Sequence, residues 1–113
     1  MRAGRQNRVV LVTCETLTEG RHIARSVVSK RVAACVNVIL SPADSYYTWQ
    51  GKLERAREYL LVIKTTAKRL PELEKEVKRL HSYDVPEFIA LPISTGSSKY
   101  ISWLQASVAQ LRK

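Results

Sequence analysis

The sequence lacks any apolar run near the roughly 20 residues that cross a bilayer, so no membrane association is expected. It shows no secretory signal. Cysteine is scarce: only Cys14 and Cys35 occur, and they do not form a CxxC pair. These features predict a cytoplasmic protein with both thiols reduced. No G-x-S-x-G, P-loop or dinucleotide fingerprint is present, so the common hydrolase, nucleotide and dehydrogenase signatures are missing. Internal repeats and low-complexity segments are absent too. The chain has 113 residues, which suits one domain and not two.

What is present begins with charge. The formal net charge is +9, which raises nucleic-acid binding as a possibility. The distribution argues against it. Basic residues are spread along the chain beside acids, as in Glu72-Leu-Glu-Lys-Glu-Val-Lys-Arg79, the pattern of a solvated helix face. Arg2, Arg5 and Arg8 cluster near the N-terminus, and residues 1–7 are expected to be a flexible basic tail before a single domain over 8–113. RNA-recognition platforms need aromatics on their first and third strands. Here those strands read Val-Val-Leu-Val-Thr-Cys and Leu-Leu-Val-Ile-Lys, with only Tyr59 at one end. No nucleic-acid partner is expected.

The apolar patterning predicts a β-α-β-β-α-β order. Val9–Cys14 is a β-branched run and reads as a buried strand. Thr16-Leu-Thr-Glu19 has the spacing of a capping box, so a helix should follow, with Ile23, Ala24, Val27 and Val28 on one face. Gly20 is a weak spot in its first turn. A strand from about Ala34, a turn signal at Ser41-Pro-Ala-Asp44, extended Ser45–Trp49, a turn at Gln50-Gly51 and the buried run Tyr59–Lys64 make a long bent hairpin. Thr65 and Thr66 are expected to cap a second helix, with Pro71 in its early turns and its end near His81. Phe88–Leu91 is the last core strand, and Lys99–Leu111 a terminal helix with Ile101, Leu104, Val108 and Leu111 inward.

This order, with its extra C-terminal helix, is the α+β ferredoxin-like arrangement with one antiparallel sheet. Right-handed crossovers give the spatial strand order 4-1-3-2. That topology brings Cys14, at the end of the first strand, to the same sheet edge as His81–Glu87. Within the same chain, Cys35 and Lys64 should lie elsewhere. A thiol and an imidazole suit copper, zinc and similar ions, but two ligands do not make a structural zinc site. Glu87 or Asp84 could add a carboxylate, as could a neighbouring subunit. A Cys14–His81 nucleophile oriented by Asp84 is the enzymatic alternative, yet no signature supplies an oxyanion hole. A binding protein is therefore expected, not an enzyme. Tyr46, Tyr47 and Trp49 cluster in the outer hairpin, where a second subunit is the simplest cover. Cys35 reads as a small core residue and His22 as an exposed one.

Several segments then fall into one pattern: Val12-Thr-Cys14, Arg31-Val-Ala-Ala-Cys-Val-Asn37, Tyr47-Thr-Trp-Gln-Gly-Lys52, Ile63-Lys-Thr65 and His81-Ser-Tyr-Asp-Val-Pro-Glu87, with Ile89-Ala-Leu-Pro92 and Tyr100–Leu104. Together they resemble the CutA divalent-ion-tolerance family, from about Val9 to Val108. The resemblance implies a fold similar to that of the PII signalling proteins and a homotrimer whose hairpins extend the sheets between subunits. It implies divalent-metal binding, chiefly of copper, with Cys14 and His81 at the implicated positions; the leading expectation is therefore Cu(II) held near Cys14 and His81, with Glu87 as a further candidate ligand. It also implies a cleft between subunits lined by Trp49, Lys64, Tyr83, Asp84 and Glu87. The sequence departs from the family's usual His-Pro-Tyr-Glu-Val-Pro-Glu-Ile at Ser82, Asp84 and Phe88, and Glu15 stands where a proline is common. Losing the proline loosens the loop after His81, and Glu15 adds an anionic group beside Cys14. The second reading is a PII-like regulatory module that holds a small anion or a partner protein in the cleft through Lys64, Trp49 and Tyr83.

Overall fold

The structure, a computed structural model, describes residues 1–110. Its elements are β1 (Arg2–Ala3), β2 (Asn7–Cys14), α1 (Leu17–Ser29), β3 (Cys35–Val38), β4 (Ala43–Trp49), β5 (Lys52–Thr66), a 3₁₀ turn (Ala67–Arg69), α2 (Leu70–Leu80), β6 (Ile89–Pro92), β7 (Thr95–Gly96) and α3 (Ser98–Ser107). The main sheet runs β3-β5-β2-β6, all antiparallel, which is the expected 4-1-3-2 order of a ferredoxin-like fold.

β5 organises the sheet. Its 15 residues pair with β2 from Thr66 opposite Asn7 to Tyr59 opposite Cys14. On its other side it meets β3 and then β4, with residues 39–42 facing only residues 59 and 60. That bulge bends the hairpin where Ser41-Pro42 interrupts the run. At the tip, Gln50 and Gly51 both take positive φ (52° and 79°), the two-residue turn that matches strand twist.

Alternation along the strands separates two faces. Val10, Val12 and Cys14 of β2 and Leu61 and Ile63 of β5 point to the side covered by α1 and α2, where they bury with Ile23, Val27, Leu73 and Val77. Burying each such side chain contributes roughly 1.5–3 kcal/mol. Val9, Leu11, Thr13, Leu60 and Val62 point to the other face and are only half-buried. The two helices are tied by Glu76 of α2, which is 7% exposed and meets Ser26 of α1 and Lys30 just past its C-terminal end, as well as Arg79. Hydrogen bonds from Arg79 and Ser26 hold its carboxyl well below the usual range.

Four local expectations change. Residues 1–7, expected as a free basic tail, fold back: Arg2 and Ala3 pair with Gly96 and Thr95, and Asn7 is fully buried. The pairing gives Arg2 a fixed place, where its guanidinium donates to Ser102 and Gln105 of α3. Thr66 makes no side-chain cap for the turn leading into α2, and Thr65 instead donates its hydroxyl to the Val32 carbonyl at 2.7 Å. Cys35 is half-buried and stands outside the core, because β3 is an edge strand. α3 begins one residue early and runs to Ser107, packing Ile101 and Leu104 inward with Val108 just beyond it, while Leu111 lies outside the described residues.

Candidate metal site and the cleft beside it

Thr16 caps α1 by accepting the Glu19 N–H at 3.1 Å, as the capping-box spacing implies. The second half of the box does not form. The Glu19 carboxylate turns across to the end of α2, where Oε1 accepts the Ser82 N–H at 3.1 Å. Its other oxygen, Oε2, lies 3.6 Å from His81 Nδ1, is buried and has no hydrogen-bond partner.

His81 closes α2 and donates its backbone N–H to Val77 at 2.9 Å. Its ring is fixed on both sides. Nε2 lies 2.7 Å from the Thr13 carbonyl, which can only accept, so Nε2 carries the proton. Nδ1 then accepts the Tyr83 N–H at 3.0 Å. Cys14 ends β2 with no exposed surface. Gly20 explains itself here. A Cβ at that position would press on Leu61 Cδ2 at 3.2 Å, while Cys14 Sγ, at 3.9 Å, would only be in ordinary contact, so glycine here relieves crowding against Leu61 where α1 packs on the sheet.

One ligand atom each from Cys14, Glu19 and His81 all lie within 4.8 Å of one another. The arrangement offers sulfur, carboxylate oxygen and imidazole nitrogen. Burial pushes the Cys14 thiol up to about 12, with the charges of Glu19 and Glu58 adding to the effect. At pH 7 the thiol keeps its proton. Removing it costs about 7 kcal/mol, at roughly 1.4 kcal/mol per pH unit, which only a strongly held cation would offset.

The loop from His81 to Phe88 then passes to the other face of the sheet. There it walls a cleft of about 580 Å³ with the hairpin: Tyr47, Trp49, Glu58, Tyr83, Asp84 and Glu87 are among its lining residues. Glu58 is only 7% exposed. Burial, a hydrogen bond with Glu58, and the charges of Glu58 and Glu15 push the Tyr83 hydroxyl up. Burial, and then the Glu58 charge, push the Glu87 carboxyl up.

The expected site residues are thus divided. Cys14 and His81 meet, with Glu19 as the carboxylate beside them, and Glu87 lies in the cleft. Trp49, Tyr83 and Asp84 line this cleft of the single chain, whereas the expected cleft lies between subunits. Lys64 does not line the single-chain cleft: it sits opposite Cys35 in the sheet, and its ammonium donates to Asn37. Sequence reasoning missed Glu19 and Glu58. Glu19 had a sufficient local role as a capping residue, and Glu58 followed a polar stretch with no sign of burial. The one signal for Glu58 was the alternation that puts it on the same face as Leu60 and Val62.

The family described as CutA1 divalent ion tolerance protein matches residues 8–107. The divalent-cation tolerance protein CutA of Thermus thermophilus is 44% identical over 97 residues, covering 86% of this chain and 93% of that protein. A chloroplastic CutA protein of Arabidopsis thaliana is 46% identical over 99 residues, 88% of this chain and 54% of that longer protein. The solved structure of the Thermus thermophilus protein superposes with a TM-score of 0.89 at 42% identity, covering 91% of this chain and 99% of that one.

Proposed function

This chain belongs to the CutA1 divalent ion tolerance family, and from that premise we propose that it binds a divalent cation, Cu(II), through Cys14, Glu19 and His81. The observation that carries the reading is the buried Glu19 Oε2, which has no hydrogen-bond partner and faces the imidazole. A carboxylate oxygen in that setting is costly unless a cation or a proton reaches it. A mixed S, N, O donor set holds Cu(II) more tightly than the other common divalent first-row ions. Binding requires Cys14 to lose its proton and Nδ1 to release the Tyr83 N–H, so it should strengthen as pH rises. It also couples the metal to the loop that walls the cleft.

We place the protein in the cytosol, where Cys14 and Cys35, both free, stay reduced. It works there as a homotrimer. Support for assembly comes from large apolar side chains left uncovered: Tyr46, Trp49 and Leu53 on the hairpin, and Ile89 and Leu91 on the edge strand. No helix among the described residues is long and apolar enough to cross a membrane. The second reading, a small anion or partner protein held between subunits, belongs to that assembly: within one chain the cleft holds Glu58, Asp84 and Glu87, and Lys64 stands apart from it.

Calorimetric titration with Cu(II) tests the site. Cys14→Ala and His81→Ala should each weaken binding tenfold or more, and unchanged affinity in both removes it. Sedimentation equilibrium tests assembly, with three times the 12.8 kDa chain mass expected and a concentration-independent monomer excluding it.

A further inference from the structure

Resting on the metal reading above, we propose that Ser82 is a positioning residue for the metal site: its backbone N–H, not its side chain, aims the Glu19 carboxylate at His81 and Cys14 and so adds the oxygen donor to the set. Glu19 has a choice of backbone partners. Its capping-box spacing offers it the N–H of Thr16, at the cap of its own helix. It takes the Ser82 N–H instead, through Oε1 at 3.1 Å, from a segment 63 residues away in sequence. That bond fixes the carboxylate with Oε2 turned inward, buried, without a hydrogen-bond partner and 3.6 Å from His81 Nδ1.

The chemistry of position 82 follows from this bond. A glutamate side chain has many rotamers, and a ligand that must be gathered at the moment of binding holds a metal less tightly than one already in place. A proline at 82 would have no N–H to donate, and Glu19 would fall back to Thr16 or to water. The departure from proline at Ser82 therefore changes the donor set as well as the stiffness of the loop. The other two ligands do not depend on it. His81 is held by the Thr13 carbonyl and the Tyr83 N–H, and Cys14 by its place at the end of β2. Sulfur and nitrogen alone suit soft ions, whereas an added carboxylate favours a harder, divalent one. His81 has φ −80° and ψ 140°, the extended backbone that a residue before proline adopts, so exchanging Ser82 for proline does not force the residue before it out of place.

The test uses the full chain with Cys35→Ser as the parent, so that Cys14 is the single thiol. In EDTA, the Ser82 amide should exchange with solvent at least about tenfold faster in Glu19→Ala than in the parent, a readout that needs neither metal nor a change at position 82. In calorimetric titrations Ser82→Pro should weaken Cu(II) at least about tenfold, the usual effect of losing a group that orients a ligand. It should leave Ag(I), a soft ion that sulfur and nitrogen satisfy, within about twofold of the parent. Ser82→Ala, which keeps the N–H, should bind both ions as the parent does. In a Glu19→Gln background Ser82→Pro should cost nothing further. The proposal is overturned by equal Ser82 exchange in the parent and Glu19→Ala, by an equal loss of Cu(II) and Ag(I), by a loss in Ser82→Ala, or by a full further loss in the Glu19→Gln background. Parental Cu(II) affinity in Ser82→Pro removes this inference alone, whereas a parent that binds no Cu(II) removes the metal reading and this inference with it.

Discussion

The same end of one sheet carries two different acidic environments, back to back. On the α1/α2 face, Cys14 and His81 are buried and Glu19 half-buried, and one donor atom from each lies within 4.8 Å of the others. On the opposite face, Glu58, Asp84 and Glu87 line an open cleft walled by aromatic rings. Successive residues of β2, Thr13 and Cys14, face the two sides, and one loop, His81 to Glu87, serves both. The difference lies in enclosure. Where α1 packs on the sheet beside Gly20, a carboxylate, a thiol and an imidazole are brought together. Where the hairpin meets the loop after α2, a carboxylate lines a wider cleft.

His81 joins the two faces, so removing it should have the largest effect. His81→Ala takes the donor from the Thr13 carbonyl and the acceptor from the Tyr83 N–H. Two stranded backbone groups predict a loss of about 2–4 kcal/mol in urea unfolding, with the metal site and the cleft both disturbed. A loss below about 1 kcal/mol would mean the imidazole does not hold the two faces together.

Acid should loosen the closed face first. The folded value of Glu76 lies below its unfolded one, so its contribution is present above about pH 4.3 and is lost as pH falls below that. Glu76→Gln should flatten the acid limb of a stability–pH curve, and an unchanged limb would show that the clamp between α1 and α2 contributes little.

Alkali should act on the sealed Cys14 thiol. The folded value of Cys14 is raised from 9.0 to about 12, so its contribution is full below pH 9 and is lost as pH rises toward 12. Cys14→Ala should be less sensitive to pH over that window in a urea-unfolding series. A variant with the wild-type alkaline limb would show that the sealed thiol does not shape it.

The smallest effect belongs to Lys64. Within one chain it stands outside the metal site and the cleft and pairs only with Asn37, so Lys64→Ala should cost under about 0.5 kcal/mol and leave Cu(II) affinity unchanged. A large loss of affinity would return Lys64 to the site.

The fold was largely legible because each core element carries its own period. β-branched runs marked β2 and the inner half of β5, and 3.6-residue spacing marked α1 and α2. Strand order followed from crossover handedness, and with it the meeting of Cys14 and His81. What escaped notice has tertiary causes. The pairing of Arg2–Ala3 with Thr95–Gly96 is too short to leave a pattern. Glu19 satisfied a local motif, so nothing local announced that its carboxylate would cross to α2. Glu58 is buried by the loop that contains Tyr83, a segment distant in sequence, and no reading of its neighbours reveals that.

The most direct measurement is a Cu(II) titration of Glu19→Gln beside Glu87→Gln. The account predicts that Glu19→Gln weakens Cu(II) at least tenfold, because Glu19 faces His81 and Cys14, while Glu87→Gln binds as wild type. Wild-type affinity in Glu19→Gln, with the loss appearing in Glu87→Gln, would contradict it and move the metal to the open face.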